Sequence, residues 1–171
     1  MAKRTSLLAL AGFGAATAAA AWYGSRYSPA DAETRRWYSR LDKPALNPPD
    51  AAFPAVWTSL YTLMAISAYR VWQAPPSPER TRALRLWATQ LAANARWAKL
   101  FFGKHRPDLA LADVITLETT ILAYIATARK VDRAASGMFI PYAAWVAFAT
   151  YLNAEIARKN PDARTLRPRA A

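Results

Sequence analysis

Three stretches of this chain carry no charged residue: Thr5–Ser25, Ala51–Tyr69 and Ala134–Ala154, of 21, 19 and 21 residues. Each exceeds the roughly 18 residues that mark a candidate membrane-spanning helix. Two further apolar stretches are interrupted, Leu86–Gly103 by Arg96 and Lys99, and Leu109–Ala128 by Asp113 and Glu118. The pattern predicts five helices at about 6–24, 51–73, 83–103, 108–129 and 134–158, in one domain over 1–171 with a basic tail at 159–171. The connectors read as loops. Arg26 to Asp50 is long and mixed in charge, with Pro29, Pro44, Pro48 and Pro49; Ala74 to Thr81, Lys104 to Asp108 and Arg129 to Arg133 are short. No segment sustains period-two alternation, and alanine, at 40 of 171 positions, favours helix over strand. The fold class expected is an all-α integral membrane bundle of five transmembrane helices. The first stretch also fits a second description: Lys3 and Arg4, then Leu7–Ala21, with small residues at Ala18–Ala20, resemble a cleavable signal peptide.

Helical phase sorts the side chains further, because residues three and four apart share a face. Phe53, Trp57, Tyr61, Met64 and Ala68 fall in one stripe of the second segment. Gln90, Asn94, Trp97 and Phe101 do so in the third, and Tyr142, Trp145, Ala149 and Ile156 in the fifth. Such stripes are ordinarily bundle core. Here they also hold amides (Gln90, Asn94, and Asn153 beside the fifth), which a dry interior accepts only if they bond across helices or meet a ligand. An aromatic cavity with a few polar anchors suits a flat hydrophobic ligand.

Charge changes the picture twice. The totals, 23 Lys+Arg against 11 Asp+Glu, a net +12 and a pI near 10.5, fit either a nucleic-acid binder or a protein at an anionic membrane. A nucleic-acid partner is excluded by the uncharged runs, since 20 of the 23 basic residues lie outside the spans or at their margins. The mean hydropathy of −0.05 reflects alanine-rich helices joined by charged connectors. Basic residues number 12 in the first loop, third loop and carboxyl terminus against 8 in the other connectors and amino terminus, which favours an inside carboxyl terminus.

Arg96 and Lys99 are the exceptions. With Arg85 they share the face of the third helix opposite Asn94 and Trp97. They either snorkel to the interface or, with the small residues Ala88 and Ala92, form a helix–helix oligomer contact. Asp113 and Glu118 stand ready to answer these cations or to line a polar pathway. Zero cysteine removes disulfides and thiolate chemistry, and the single histidine, His105, reads as a solvated loop residue. No metal-ligand, phosphate-loop or nucleophile motif occurs, so no catalytic or metal residue is assigned.

At the level of motifs, Lys43-Pro-Ala-Leu-Asn-Pro-Pro49 followed by Phe53-Pro-Ala-Val-Trp57-Thr-Ser-Leu-Tyr61 resembles the loop and second helix of the TspO/MBR family. These are the tryptophan-rich sensory proteins and translocator-type receptors. Gln90-Leu-Ala-Ala-Asn94-Ala-Arg-Trp97-Ala-Lys-Leu-Phe101-Phe102-Gly103 is similar to the family's third-helix motif, and Pro141-Tyr142-Ala-Ala-Trp145-Val-Ala-Phe148-Ala149-Thr150-Tyr-Leu152-Asn153 to its fifth. The resemblance spans about Trp37 to Asn160.

It implies a five-helix bundle, often a homodimer, with a cavity under the first loop that takes porphyrins or haem and no obligatory cofactor. Roles in tetrapyrrole transport, stress sensing and light-dependent porphyrin breakdown go with it, the last making pocket tryptophans reactive. Carried over by position, the pocket residues are Trp57, Tyr61, Asn94, Trp97, Trp145, Phe148 and Ala149, to which the fifth-helix stripe adds Tyr142. Pro48 and Pro49 would stiffen the lid. The chain departs from the family at Leu46, where tryptophan is common, and at Arg96, Ala98 and Lys99. Ala154 and Glu155 replace the tyrosine and base of the sterol-recognition stretch.

Overall fold

The computed structural model describes residues 2–28, 31–49 and 51–165; Pro29, Asp50, residues 166–171 of the basic tail and the side chains of Lys3 and Arg4 lie outside that description. Among the described residues the chain is all-helical. Five long helices, α1 (Ala2–Ser25), α3 (Ala52–Gln73), α4 (Pro78–Ala98), α5 (Pro107–Ala128) and α7 (Ile140–Lys159), are joined by two short ones, α2 (Ala32–Arg40) and α6 (Arg133–Gly137).

Four boundaries differ from the sequence expectation, each for a local reason. The first loop contains a helix, α2, because the Asp31 carboxylate accepts the Thr34 amide at 2.8 Å as an N-cap. The third long helix begins at Pro78 and not near 83. Ser77 caps it by accepting the Arg80 amide at 3.1 Å, and Pro78 at the first position has no amide to leave unsatisfied. That helix ends in a π-turn, Lys99–Gly103, closed by the Lys104 amide on the Lys99 carbonyl at 2.9 Å. The fifth expected helix is broken. Asp132 caps α6 through the Ala135 amide, and a turn at Met138 separates α6 from α7.

α1 packs on α3 and α4, α4 on α5, and α5 on α7, so α4 is flanked by α1 on one side and α5 on the other. Buried alanines (Ala83, Ala93, Ala110, Ala128 and Ala135) allow this close approach. The core runs through Met64, Trp87, Ile121, Tyr124 and Phe139. Some of its polar groups bond internally: the Ser67 and Tyr124 hydroxyls bond at 2.6 Å, and Ser67 donates to the Ala135 carbonyl at 2.8 Å, whereas the Gln90 amide is buried with no partner among the described residues. Outward-facing Leu7, Leu8, Trp22, Ile115, Leu122 and Ile140 are 51–73% exposed, an arrangement suited to lipid and not to water. Three segments, Ser6–Ser25, Pro107–Ala128 and Arg133–Lys159, are long and apolar enough to cross a membrane.

The first loop folds down as a cap over the ends of α4, α5 and α7. Trp37, 3% exposed, donates its indole N–H to the Ala163 carbonyl at 2.9 Å and stands edge-on to Phe101. The Asn160 side chain clasps the Asp42 backbone, accepting its N–H at 2.9 Å and donating to its carbonyl at 3.0 Å. His105 is not a solvated loop residue. Its ring stacks on Trp37 at 4.3 Å and 13°, and its backbone takes the left-handed conformation, φ 52°. Burial pushes the imidazole below its ordinary pKa, against the opposing pull of Glu33 and Asp31.

Candidate functional site

Beneath this cap lies a cavity of about 650 Å³. Helical phase brings its walls together from both ends of the sequence. α3 contributes Phe53, Trp57 and Tyr61; α4 and its π-turn contribute Asn94, Trp97, Phe101 and Phe102; α7 contributes Trp145, Phe148 and Ala149. The π-turn matters here, because its extra residue turns the consecutive Phe101 and Phe102 so that both face the cavity. The Trp97 and Phe101 rings stack at 5.1 Å and 24°, Trp57 and Tyr61 lie 5.2 Å apart, and Phe53 meets Trp145 edge-on at 5.8 Å.

Seven of the eight residues expected in the pocket therefore line one space. Tyr142 does not. It is 1% exposed and lies behind Asn94, whose amide donates to the Tyr142 hydroxyl at 3.0 Å. The phase of a stripe does not distinguish a side chain on the wall from one a layer deeper. Pro48 and Pro49 do not line the cavity either. The Pro49 carbonyl accepts the Ala52 amide at the start of α3, and Pro48 accepts from the side chain of Asn47, which does line it. Tyr38 donates to Asn47 at 3.2 Å, so cap and rim are tied.

The wall's amides are already engaged. Asn94 accepts the Tyr61 hydroxyl at 2.7 Å while donating to Tyr142. Asn153 accepts the Trp97 indole N–H at 3.0 Å and donates to the Pro107 carbonyl at 2.7 Å. These amides bond across helices and fix ring orientations. Among the described residues no partner stands against the indole N–H of Trp57 or Trp145. Among the described residues no acidic, basic or histidine side chain lines the cavity. One cation on the cap, Lys43, has its ammonium 4.4 Å over the ring of Tyr38, which lines the cavity, and donates to the Tyr38 carbonyl. Among the described residues no cluster of metal-ligating side chains occurs.

Residues the sequence did not mark complete the enclosure. Ala21, Gly24, Ser25 and Ser28 of α1 and its exit form one wall, and Val114 and Leu117 of α5 form part of the floor. Small residues carry no phase signal, and the only sequence cue was their density in the first stretch. The oligomer face holds a different arrangement from the one expected. Ala88 and Ala92 are exposed on the outer face of α4, but Arg96 is engaged within the chain, its guanidinium paired with Asp113 of α5. Glu118 pairs with no cation among the described residues.

Comparison with known proteins gives a consistent result. The TspO/MBR family profile matches residues 8–158. The chain is 42% identical to a tryptophan-rich sensory protein of Cereibacter sphaeroides, over 75% of this chain and 81% of that one. It is 35% identical to protein CrtK of Rhodobacter capsulatus, over 94% and 98%. With the translocator protein of Homo sapiens it shares 33% identity over 87% and 88%.

Proposed function

This chain belongs to the TspO/MBR family of multi-pass integral membrane proteins, and from that premise we propose that its capped cavity binds a tetrapyrrole, porphyrin or haem, for sensing or transport. One observation carries the reading: a capped space of about 650 Å³ walled by aromatic rings, with no charged side chain among the described residues that line it. That volume falls within the roughly 300–1,000 Å³ of small-molecule and cofactor sites. Stacked and edge-on rings at several angles suit a flat macrocycle, which offers a π-face to each. The free indole N–H groups of Trp57 and Trp145 supply donors without charge.

A tetrapyrrole's edge carboxylates have no cation inside this cavity, and leaving them buried and unpaired would cost several kcal/mol each. They stay at the mouth, where Lys43 on the cap meets them. Binding here is uptake and release, with the cap opening and reclosing over the ligand.

Titration of the purified protein with protoporphyrin tests this. Saturable quenching of tryptophan emission is expected, weakened about tenfold or more by Trp145→Ala. Unchanged affinity in that variant would remove the cavity from the reading.

A further inference from the structure

α7 serves the cavity twice. Its middle turns form a wall through Trp145, Phe148 and Ala149, and the chain just past its last turn holds the cap. The helix stops at Asn160, where the Ala163 amide closes a turn on the Asn160 carbonyl at 3.1 Å and a 3-10 turn, Ala163–Thr165, follows. The Asn160 side chain accepts the Asp42 N–H at 2.9 Å and donates to the Asp42 carbonyl at 3.0 Å. Beside it the Lys159 ammonium meets the Asp42 carboxylate at 3.4 Å. Ala163 is buried, and its carbonyl accepts the Trp37 indole N–H at 2.9 Å.

This strap touches the cap and not the cavity. Neither Lys159, Asn160 and Ala163 nor their partners Trp37 and Asp42 line the space beneath. Lifting the cap breaks both Asn160 hydrogen bonds together, since both run to one residue. It also pulls Trp37 from an apolar cluster with Phe101, Ile156 and Ala163, and from its stack on His105. The TspO/MBR profile ends at residue 158, so the strap lies past the region it matches.

We infer that residues 159–163 are a latch that sets how fast the cavity exchanges its ligand without setting how tightly the ligand is held. The inference rests on the reading that the ligand passes beneath the cap. A contact that is the same over a filled and an empty cavity stabilises both closed forms equally, so it cancels from the affinity. It does not cancel from the rates. Entry and exit both wait on the open form, whose population the latch lowers. Two hydrogen bonds of ordinary net strength correspond to a shift of about tenfold in that population, and the exposed Lys159–Asp42 pair adds little.

Stopped-flow quenching of tryptophan emission by protoporphyrin measures both rate constants in the full chain. Asn160→Ala should raise association and dissociation about tenfold each and leave Kd within about twofold. Trp37→Phe, which keeps an aromatic ring and removes the N–H, should raise both about threefold. Arg158→Gln, at the same helix end but paired with Glu155, should change neither. Faster dissociation with unchanged association would make the strap a support for the bound ligand and overturn the latch. Unchanged rates in Asn160→Ala and Trp37→Phe would overturn it too. Amide protection across Ala32–Arg40 in the ligand-free protein separates the latch from the choice of ligand. Asn160→Ala should lower that protection about tenfold, and equal protection overturns the latch. Lowered protection in a protein that protoporphyrin does not quench would sink the tetrapyrrole and keep the latch.

Discussion

Asn94 links three helices through one amide, and its replacement by leucine isolates what that link contributes. The substitution keeps most of the volume and removes both hydrogen bonds, leaving two phenols without their partner. The Tyr142 hydroxyl is 1% exposed and has no alternative. Leaving such a group unpaired costs about 1–3 kcal/mol. The Tyr61 hydroxyl borders the cavity and can turn towards it, so its loss is nearer the net value of one hydrogen bond, about 0.5–1.5 kcal/mol. Interhelical hydrogen bonds in membranes average only about 0.6 kcal/mol, which draws the total towards about 2 kcal/mol.

The decisive comparison adds Tyr61→Phe and Tyr142→Phe to Asn94→Leu. Removing the orphaned hydroxyls along with the amide should restore stability to within about 1 kcal/mol of the wild type, since replacing all partners by apolar groups is nearly neutral. Reversible unfolding by sodium dodecyl sulfate in mixed micelles measures each variant. If the triple variant is destabilised by the sum of the three single effects, the phenols were not waiting on Asn94, and the reasoning fails.

How much of this was legible beforehand depends on what carries a signal. The uncharged runs located the long helices, because charge is costly in hydrocarbon whatever the packing. Trp57, Tyr61, Trp97 and Trp145 were legible because large rings at helical spacing mark a face, Ala149 lay on the same stripe as Trp145, and the family motifs supplied Phe148. The helix at Ala32–Arg40 was hidden by the prolines around it, although Asp31 three residues before Thr34 is a readable cap. Ser77-Pro78-Glu79 was likewise a helix start read as a loop. Tyr142 and Tyr61 both sit on the inward stripes of their helices, and depth behind a neighbour is set by tertiary packing alone. The clasp of Asn160 on Asp42 and the stack of His105 on Trp37 join residues far apart in the chain and have no local signature at all.

Two further outcomes follow from the cap. Lys43→Gln should weaken binding of a dicarboxylate porphyrin several-fold and leave a porphyrin without carboxylates unaffected, as measured by parallel titrations. Because burial holds His105 below its ordinary value of 6.5, its contribution to cap docking is complete above that pH. It is lost as the pH falls from 6.5 through the depressed folded value, where the imidazole gains a proton that the docked state disfavours. Amide protection factors across Ala32–Arg40, taken relative to the intrinsic exchange rate at each pH, should therefore fall as the pH is lowered from 7.5 to 5, and His105→Asn, which tolerates the left-handed backbone, should flatten that dependence.

The central claim is that a flat macrocycle occupies the space beside Ala149. Ala149→Trp places an indole into that space from the same helix position without touching the Asn94 or Asn153 hydrogen bonds. Titration of protoporphyrin into both proteins, followed at its Soret band, should show one saturable site in the wild type. In Ala149→Trp, at unchanged thermal stability, affinity should fall at least about tenfold. Equal affinity in a folded Ala149→Trp protein would place the ligand elsewhere and contradict the account.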